Sequence, residues 1–220
     1  MKKYQSGFTL VEIAIVLVII GLLLGGVLKG QEMITQAKIK NVINDFNGTA
    51  SAYYSYQDRY RAIPGDDVGA AARWPAPAGP TNAGDGNAIV AGAYNVFPAD
   101  TPTAAQESNL FWQHLRLAGF VAGPTTGAGS GTPPANAAGG ITGVQNSGMG
   151  LNGLIVCSSN LPAKIAASID SQFDDGNATS NQVLGALQAA GASNLAVPAV
   201  APAANYVDTG GNQYTVCKNI

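Results

Sequence analysis

The sequence predicts an α+β protein, a long N-terminal α-helix packed on a small antiparallel β-sheet head. Three observations carry this reading. Residues 8–28, FTLVEIAIVLVIIGLLLGGVL, contain one ionisable side chain, Glu12. From Lys29 onward apolar residues recur at three- and four-residue steps as far as Tyr60. The rest of the chain, rich in its 28 Gly and 12 Pro, is cut by turn residues into short apolar segments.

The first element is the apolar run. Its length matches the ~20 apolar residues that cross a bilayer core as a helix. Before it stands MKKYQSG, with two lysines and no acid, so the N-terminus is expected on the cytoplasmic side and the remainder beyond the membrane. A secretory signal peptide has a shorter apolar region, ~7–15 residues, and a small-x-small cleavage site. Here the run continues into GGVLKGQEMITQ without such a site. A plain single-span anchor accounts for everything except Glu12. A carboxylate within an apolar span costs ~2.5–3.5 kcal/mol on the lenient insertion scale, which calls for a partner.

The helix continues in amphipathic form. Ile39, Val42, Ile43, Phe46, Ala50, Tyr53 and Tyr60 fall on one face, while Lys38, Lys40, Asn44, Asp45 and Gln57 fall largely elsewhere. Pro64 and Gly65 end it near Ala62. At 1.5 Å per residue such a helix is about 80 Å long, more than one small domain can bury. Its first half therefore needs lipid or other copies of itself, and its second half a covering sheet. Tyr53, Tyr54, Tyr56 and Tyr60 allow a stacking platform for single-stranded DNA or a charge-transfer stripe, but core packing under a sheet is the expected role.

Residues 64–100 are loop-rich, with a short strand expected at 88–90. Residues 103–119 predict a second helix, opened by a Thr103/Gln106 capping box and stopped at Gly119. Leu110, Phe111, His114, Leu115 and Ala118 share a face of it, and the single histidine is expected to be a half-buried packing residue. Residues 123–140 are of low complexity and predict an exposed flexible loop. Residues 151–157 predict a strand, 162–169 a short helix with proline in its first turn, and 206–217 a hairpin about Gly210 and Gly211. Cys157 and Cys217 lack metal-ligand spacing. In an exported domain an even pair is expected to form a disulfide, with two unrelated buried thiols as the alternative.

Only 11% of residues are charged and the net charge is −2, so bulk charge gives no support to nucleic-acid binding. One histidine and no nucleophile motif leave no catalytic constellation, so no enzyme is expected. GAGSGT lacks the lysine and spacing of a phosphate loop, no zinc set exists, and no cofactor is expected. Asp170, Asp174 and Asp175 suggest calcium weakly. They miss the EF-hand pattern, with Asp175 where glycine is needed and no closing glutamate, so an Asx-rich turn is the expected role. Asp66 and Asp67 in the PGDD turn carry a still weaker version of that suggestion.

KKYQSG followed by FTLVEIAIVLVIIG resembles the leader and first helix of type IV prepilins and type II secretion pseudopilins. The shared elements are a short basic leader ending in Gly7, then Phe8, an apolar run, and Glu12 four residues after Phe8. The resemblance is strong over about residues 1–30. It implies that a prepilin peptidase cuts between Gly7 and Phe8 and methylates the Phe8 amine. That amine lies one helical turn before Glu12 and can meet it within a chain or between packed chains. Many major pilins carry a proline near the end of the run, whereas this chain has Gly25, Gly26 and Gly30 there and no proline before Pro64. A Cys157–Cys217 bond resembles the disulfide-bounded C-terminal region of many pilins.

The resulting organisation is a leader over 1–7, a transmembrane and polymerisation helix over 8–35, and a head over 36–220 that includes the second half of the helix. The expected function is structural: a pilus-like filament subunit that polymerises with itself. Its expected partners are the peptidase, the assembly machinery and, before assembly, the inner membrane. The precursor resides in the bacterial inner membrane and the product in an extracellular pilus. The alternatives are a periplasmic pseudopilus and, further off, a singly anchored periplasmic binding protein.

Overall fold

A computed structural model describes residues 7, 9–75, 82–99, 101–189 and 191–220. It resolves the chain into two compact units, Met1–Lys38 and Ile39–Ile220. Helix α1, Leu10–Tyr60, begins in the first unit and continues in the second.

Within the first unit α1 is apolar through Leu28 apart from Glu12, and none of it is buried, its large apolar side chains ranging from Leu10 at 91% exposure to Ile20 at 46%. It stays helical through Gly25, Gly26 and Gly30. Glycine lowers helix stability by ~1 kcal/mol relative to alanine, which the long apolar flanks tolerate.

In the second unit α1 buries Ile39, Val42, Phe46, Thr49, Ala52 and Tyr56, the stripe that three- and four-residue spacing dictates. Arg61, with φ 55°, leaves helical geometry and ends it. The chain then forms α2 (Ala70–Arg73), α3 (Glu107–Leu117), α4 (Ala128–Gly131), β1 (Thr142–Gly148), β2 (Leu151–Pro162), α5 (Ala163–Phe173), β3 (Val183–Leu187) and β4 (Gln213–Asn219). The strands make one antiparallel sheet in the order β1-β2-β4-β3.

Alternation along the strands builds two cores. Val144, Val156, Leu161, Val183 and Val216 join Phe46, Tyr56, Trp112 and Ile169 in the larger one, beneath α1, α3 and α5. Ile155, Cys157, Leu184 and Cys217 point the other way, toward Tyr94, Ile141 and Met149. Cys157 and Cys217 stand directly opposite one another on β2 and β4 and are disulfide-bonded. The bond staples the sheet face that loops cover.

Several local expectations are corrected. Helix α3 starts at Glu107, and its N-cap Gln106 makes no side-chain capping bond. Thr103 and Gln106 instead close a turn through the Gln106 N–H and the Thr103 carbonyl at 2.9 Å. The α3 face proved to be a whole circumference, with Glu107 through Arg116 all buried. Residues 88–90 are not a strand: Ala88 has φ 66° and its N–H is taken by Asp66 Oδ2 at 2.8 Å. Residues 123–140 are not a flexible loop, since they contain α4 and bury Ser130, Gly131 and Asn136. The C-terminal hairpin does not form. Strand β3 occupies the far side of β4, and Tyr206 packs over Gly185 so closely that a Cβ there would collide with its ring.

Candidate functional site

At the start of α1 the sequence Thr9-Leu10-Val11-Glu12 forms a reciprocal cap. The Thr9 hydroxyl accepts the Glu12 N–H at 3.3 Å, while Glu12 Oε2 accepts the Thr9 N–H and hydroxyl, each at 2.8 Å. This is a capping box, Thr at the cap and Glu at the third helical position. It explains where α1 begins, and the T-x-x-E spacing is the signal that sequence reasoning passed over. Glu12 is exposed, and so is Gly7. Phe8 lies outside the described residues, as do 1–6 of the leader. The apolar stretch after Glu12 is long enough to cross a membrane and none of it is buried.

The polar chemistry of the second unit converges on the turn Pro64-Gly65-Asp66-Asp67. The Gly65 N–H donates to His114 Nδ1 at 3.0 Å, so the ring proton sits on Nε2, which faces the Asn82 carbonyl at 3.2 Å. His114 is fully buried and stacks on Tyr56 at 6.2 Å. Burial pulls its pKa down to about 4. The ring is therefore a neutral bridge between two backbone segments, deeper than the half-buried position expected. Gly65, at φ 95°, passes so close to α3 that a Cβ would stand 2.6 Å from the Glu107 carbonyl oxygen.

The two aspartates of that turn have separate tasks. Asp66 Oδ1 accepts the Gly86 and Asn87 N–H groups at 2.6 and 3.1 Å, and Oδ2 accepts Ala88 N–H. Asp67 Oδ2 accepts the Tyr56 hydroxyl at 2.7 Å and Arg73 Nη1 at 2.5 Å, and Oδ1 accepts Gly69 N–H at 2.8 Å. Burial alone would raise the Asp67 carboxyl, but the bonds from Tyr56, Arg73 and Gly69 hold it below the ordinary range. Arg73 also lies over the Tyr60 ring at 4.3 Å. Of the four clustered tyrosines, Tyr56 is core, Tyr53 and Tyr60 are half-buried, and Tyr54 is exposed.

Among the described residues, the carboxylate oxygens close enough to share a cation belong to Asp66, Asp85 and Glu107, within 4.8 Å of one another. These oxygens already serve the backbone: Glu107 Oε1 accepts Asp85 N–H at 3.0 Å and Oε2 accepts Ala91 N–H at 2.9 Å. They clamp a loop. Of the acids singled out from sequence, Asp66 belongs to this cluster, whereas Asp170, Asp174 and Asp175 sit elsewhere and hold separate turns. Asp170 accepts the Tyr206 hydroxyl and Gly176 N–H. Asp174 accepts the Gln182 N–H, and Asp175 accepts Asn177 N–H and the Ser180 hydroxyl.

Residues 2–28 match the family model of the prokaryotic N-terminal methylation motif, the leader of type IV pilins and pseudopilins. No curated protein matches the chain. The motif supports a type IV pilin-like or pseudopilin-like protein, a structural rather than an enzymatic class. It implies processing by prepilin peptidase and a membrane-anchored precursor that passes into a filament.

Proposed function

We propose that this chain is a structural subunit of an extracellular type IV pilus. The carrying observation is that residues 2–28 hold the methylation motif while every described apolar side chain of that stretch stands unburied. A single chain leaves that surface to water, lipid or other copies, and only the last two cover it. In this reading the precursor waits in the inner membrane. Cleavage between Gly7 and Phe8 then frees the Phe8 amine, the peptidase transfers a methyl group to it from a methyl donor, and the assembly machinery moves the chain into a bundle of α1 helices. Glu12 of one copy neutralises the Phe8 amine of the next, so the charge that lipid cannot solvate sets the register. A periplasmic pseudopilus is the second reading, favoured by one observation: α1 lacks the proline of many major pilins.

Intact-mass spectrometry on sheared surface filaments and on membranes tests both. Abundant sheared protein, lighter by residues 1–7 and heavier by one methyl group, is the expected outcome. The same mass confined to membranes selects the pseudopilus, and an unprocessed chain beside a working peptidase overturns the proposal. Glu12→Ala should insert normally yet reduce sheared filaments at least tenfold. Undiminished filaments from that variant would remove Glu12 from assembly.

A further inference from the structure

The chain contains two Asn-x-Thr triplets with no proline in the middle, Asn47-Gly48-Thr49 and Asn177-Ala178-Thr179. Such triplets are the acceptor sequence for N-linked glycans on exported proteins, and composition alone can produce them. The structure separates the two. Asn47 lies within α1, where Thr49 is 6% exposed and turns its hydroxyl back onto the Asp45 carbonyl at 2.7 Å. That hydroxyl is spent on the helix backbone and withheld from the Asn47 carboxamide. Asn177 lies between α5 and β3, in a turn closed by the Ser180 N–H on the Asn177 carbonyl at 3.3 Å. Its Oδ1 accepts the Thr179 N–H at 3.2 Å and the Thr179 hydroxyl at 2.9 Å. Asp175 Oδ1 accepts the Asn177 N–H at 2.9 Å and holds the residue from its other side.

This bonding leaves one atom of the carboxamide unengaged. Asn177 Nδ2 makes no hydrogen bond among the described residues and is not one of their enclosed, unpartnered polar atoms, so it stands open to solvent. A carboxamide nitrogen is a poor nucleophile because its lone pair is shared with the carbonyl. Two donors on Oδ1 draw charge onto the oxygen and favour the form in which that lone pair can attack. We propose that Asn177 is an N-glycosylation site whose donor is a glycan carried on a lipid phosphate. In the transfer Nδ2 forms a bond to the anomeric carbon of the glycan, and the bond from that carbon to the phosphate oxygen breaks. The lipid phosphate leaves with the electron pair, and a base of the transferase takes one Nδ2 proton. The site needs the head beyond the membrane, so it rests on the export step of the filament reading above. Before assembly that reading also places the acceptor chain and the lipid donor in one bilayer. Asn47 offers the same triplet without the geometry and stays unmodified.

The test is glycopeptide mass spectrometry on the full chain from its own cells, taken from membranes and from sheared filaments. The peptide containing Asn177 should carry a glycan mass that fragmentation places on that residue, and the peptide containing Asn47 should carry none. The processed chain then exceeds the intact mass described above by the same increment. Asn177→Gln and Thr179→Ala should each lose the increment, Thr179→Ser should keep it, and Asn47→Gln should change nothing. An unmodified Asn177 in a chain whose Cys157–Cys217 bond has formed overturns the proposal and leaves the filament reading standing. A glycan that survives Asn177→Gln sits on another residue and overturns it equally. A chain whose cysteines stay reduced has not left the cytoplasm, and both readings then fail together.

Discussion

His114 shows how one residue's surroundings become a measurable property. Folded, its imidazole is buried and neutral with a pKa of about 4; unfolded, it returns to about 6.5. Below pH 6.5 the unfolded ring takes a proton that the folded ring refuses. Stability therefore falls as pH drops, and the loss levels off below about pH 4. The window is worth up to about 3 kcal/mol. Glu107 and Asp170, both raised by burial, pull the other way, so the quantity to measure is a difference. Denaturant melts from pH 7 to 4 should show a steeper loss for the native chain than for His114→Gln. Parallel curves would mean that the ring is not buried neutral. Sequence gave the histidine its helix face but not its depth. Spacing along α3 says nothing of Gly65, which lies 49 residues away and supplies the N–H that fixes the ring's tautomer.

At the scale of elements, the part least legible in the sequence is the low-complexity stretch, and Arg116 is the reason. Glycine, serine, threonine and alanine do not by themselves specify a fold, so composition suggested a flexible loop. In the structure the buried guanidinium donates to the carbonyls of Gly129, Ser130 and Thr132 at 3.0, 2.5 and 2.7 Å and orders α4 from outside. Burial lowers its pKa, but guanidinium remains charged throughout ordinary pH. Arg116→Met should leave three carbonyls without their donor and cost roughly 3 kcal/mol. For a domain of this size that is roughly 6–12 °C in Tm. Proteolysis should then begin within residues 123–135, and a variant that melts with wild type and stays uncut would contradict this. The same limit explains the missed strands. β1 reads TGVQNSG and β3 reads VLGAL, each with a glycine where the chain is closely approached rather than a run of β-branched residues. β2 and β4 carry the apolar alternation, and they were the strands the sequence disclosed.

For the whole molecule, lipid and water impose different rules on the two units, and only one of those rules is simple. A bilayer demands length and apolarity, so a stretch long and apolar enough to cross one was legible at once. The head depends on contacts between residues far apart in sequence, and its elements were legible only where periodicity was strong. Among the described residues none before Ile39 is buried, and from there Ile39, Val42, Phe46, Thr49, Ala52 and Tyr56 complete the packed stripe of α1. We therefore propose residues 36–220 as an independently folding head. A chain starting at residue 36, exported to an oxidising compartment, should be soluble and cooperative in melting. It should be monomeric too, because Glu12 and the apolar run, which drive association in the proposed filament, are gone. Closing the Cys157–Cys217 loop, with a sequence separation of 60, contributes about 4 kcal/mol by chain entropy. Reduction should therefore lower the melting temperature of this fragment and of the detergent-solubilised full chain by similar amounts. If the oxidised fragment aggregates or melts without cooperativity, the head needs residues before 36, and the boundary between anchor and fold must move toward the N-terminus. If it folds but self-associates, the attraction between copies resides in the head.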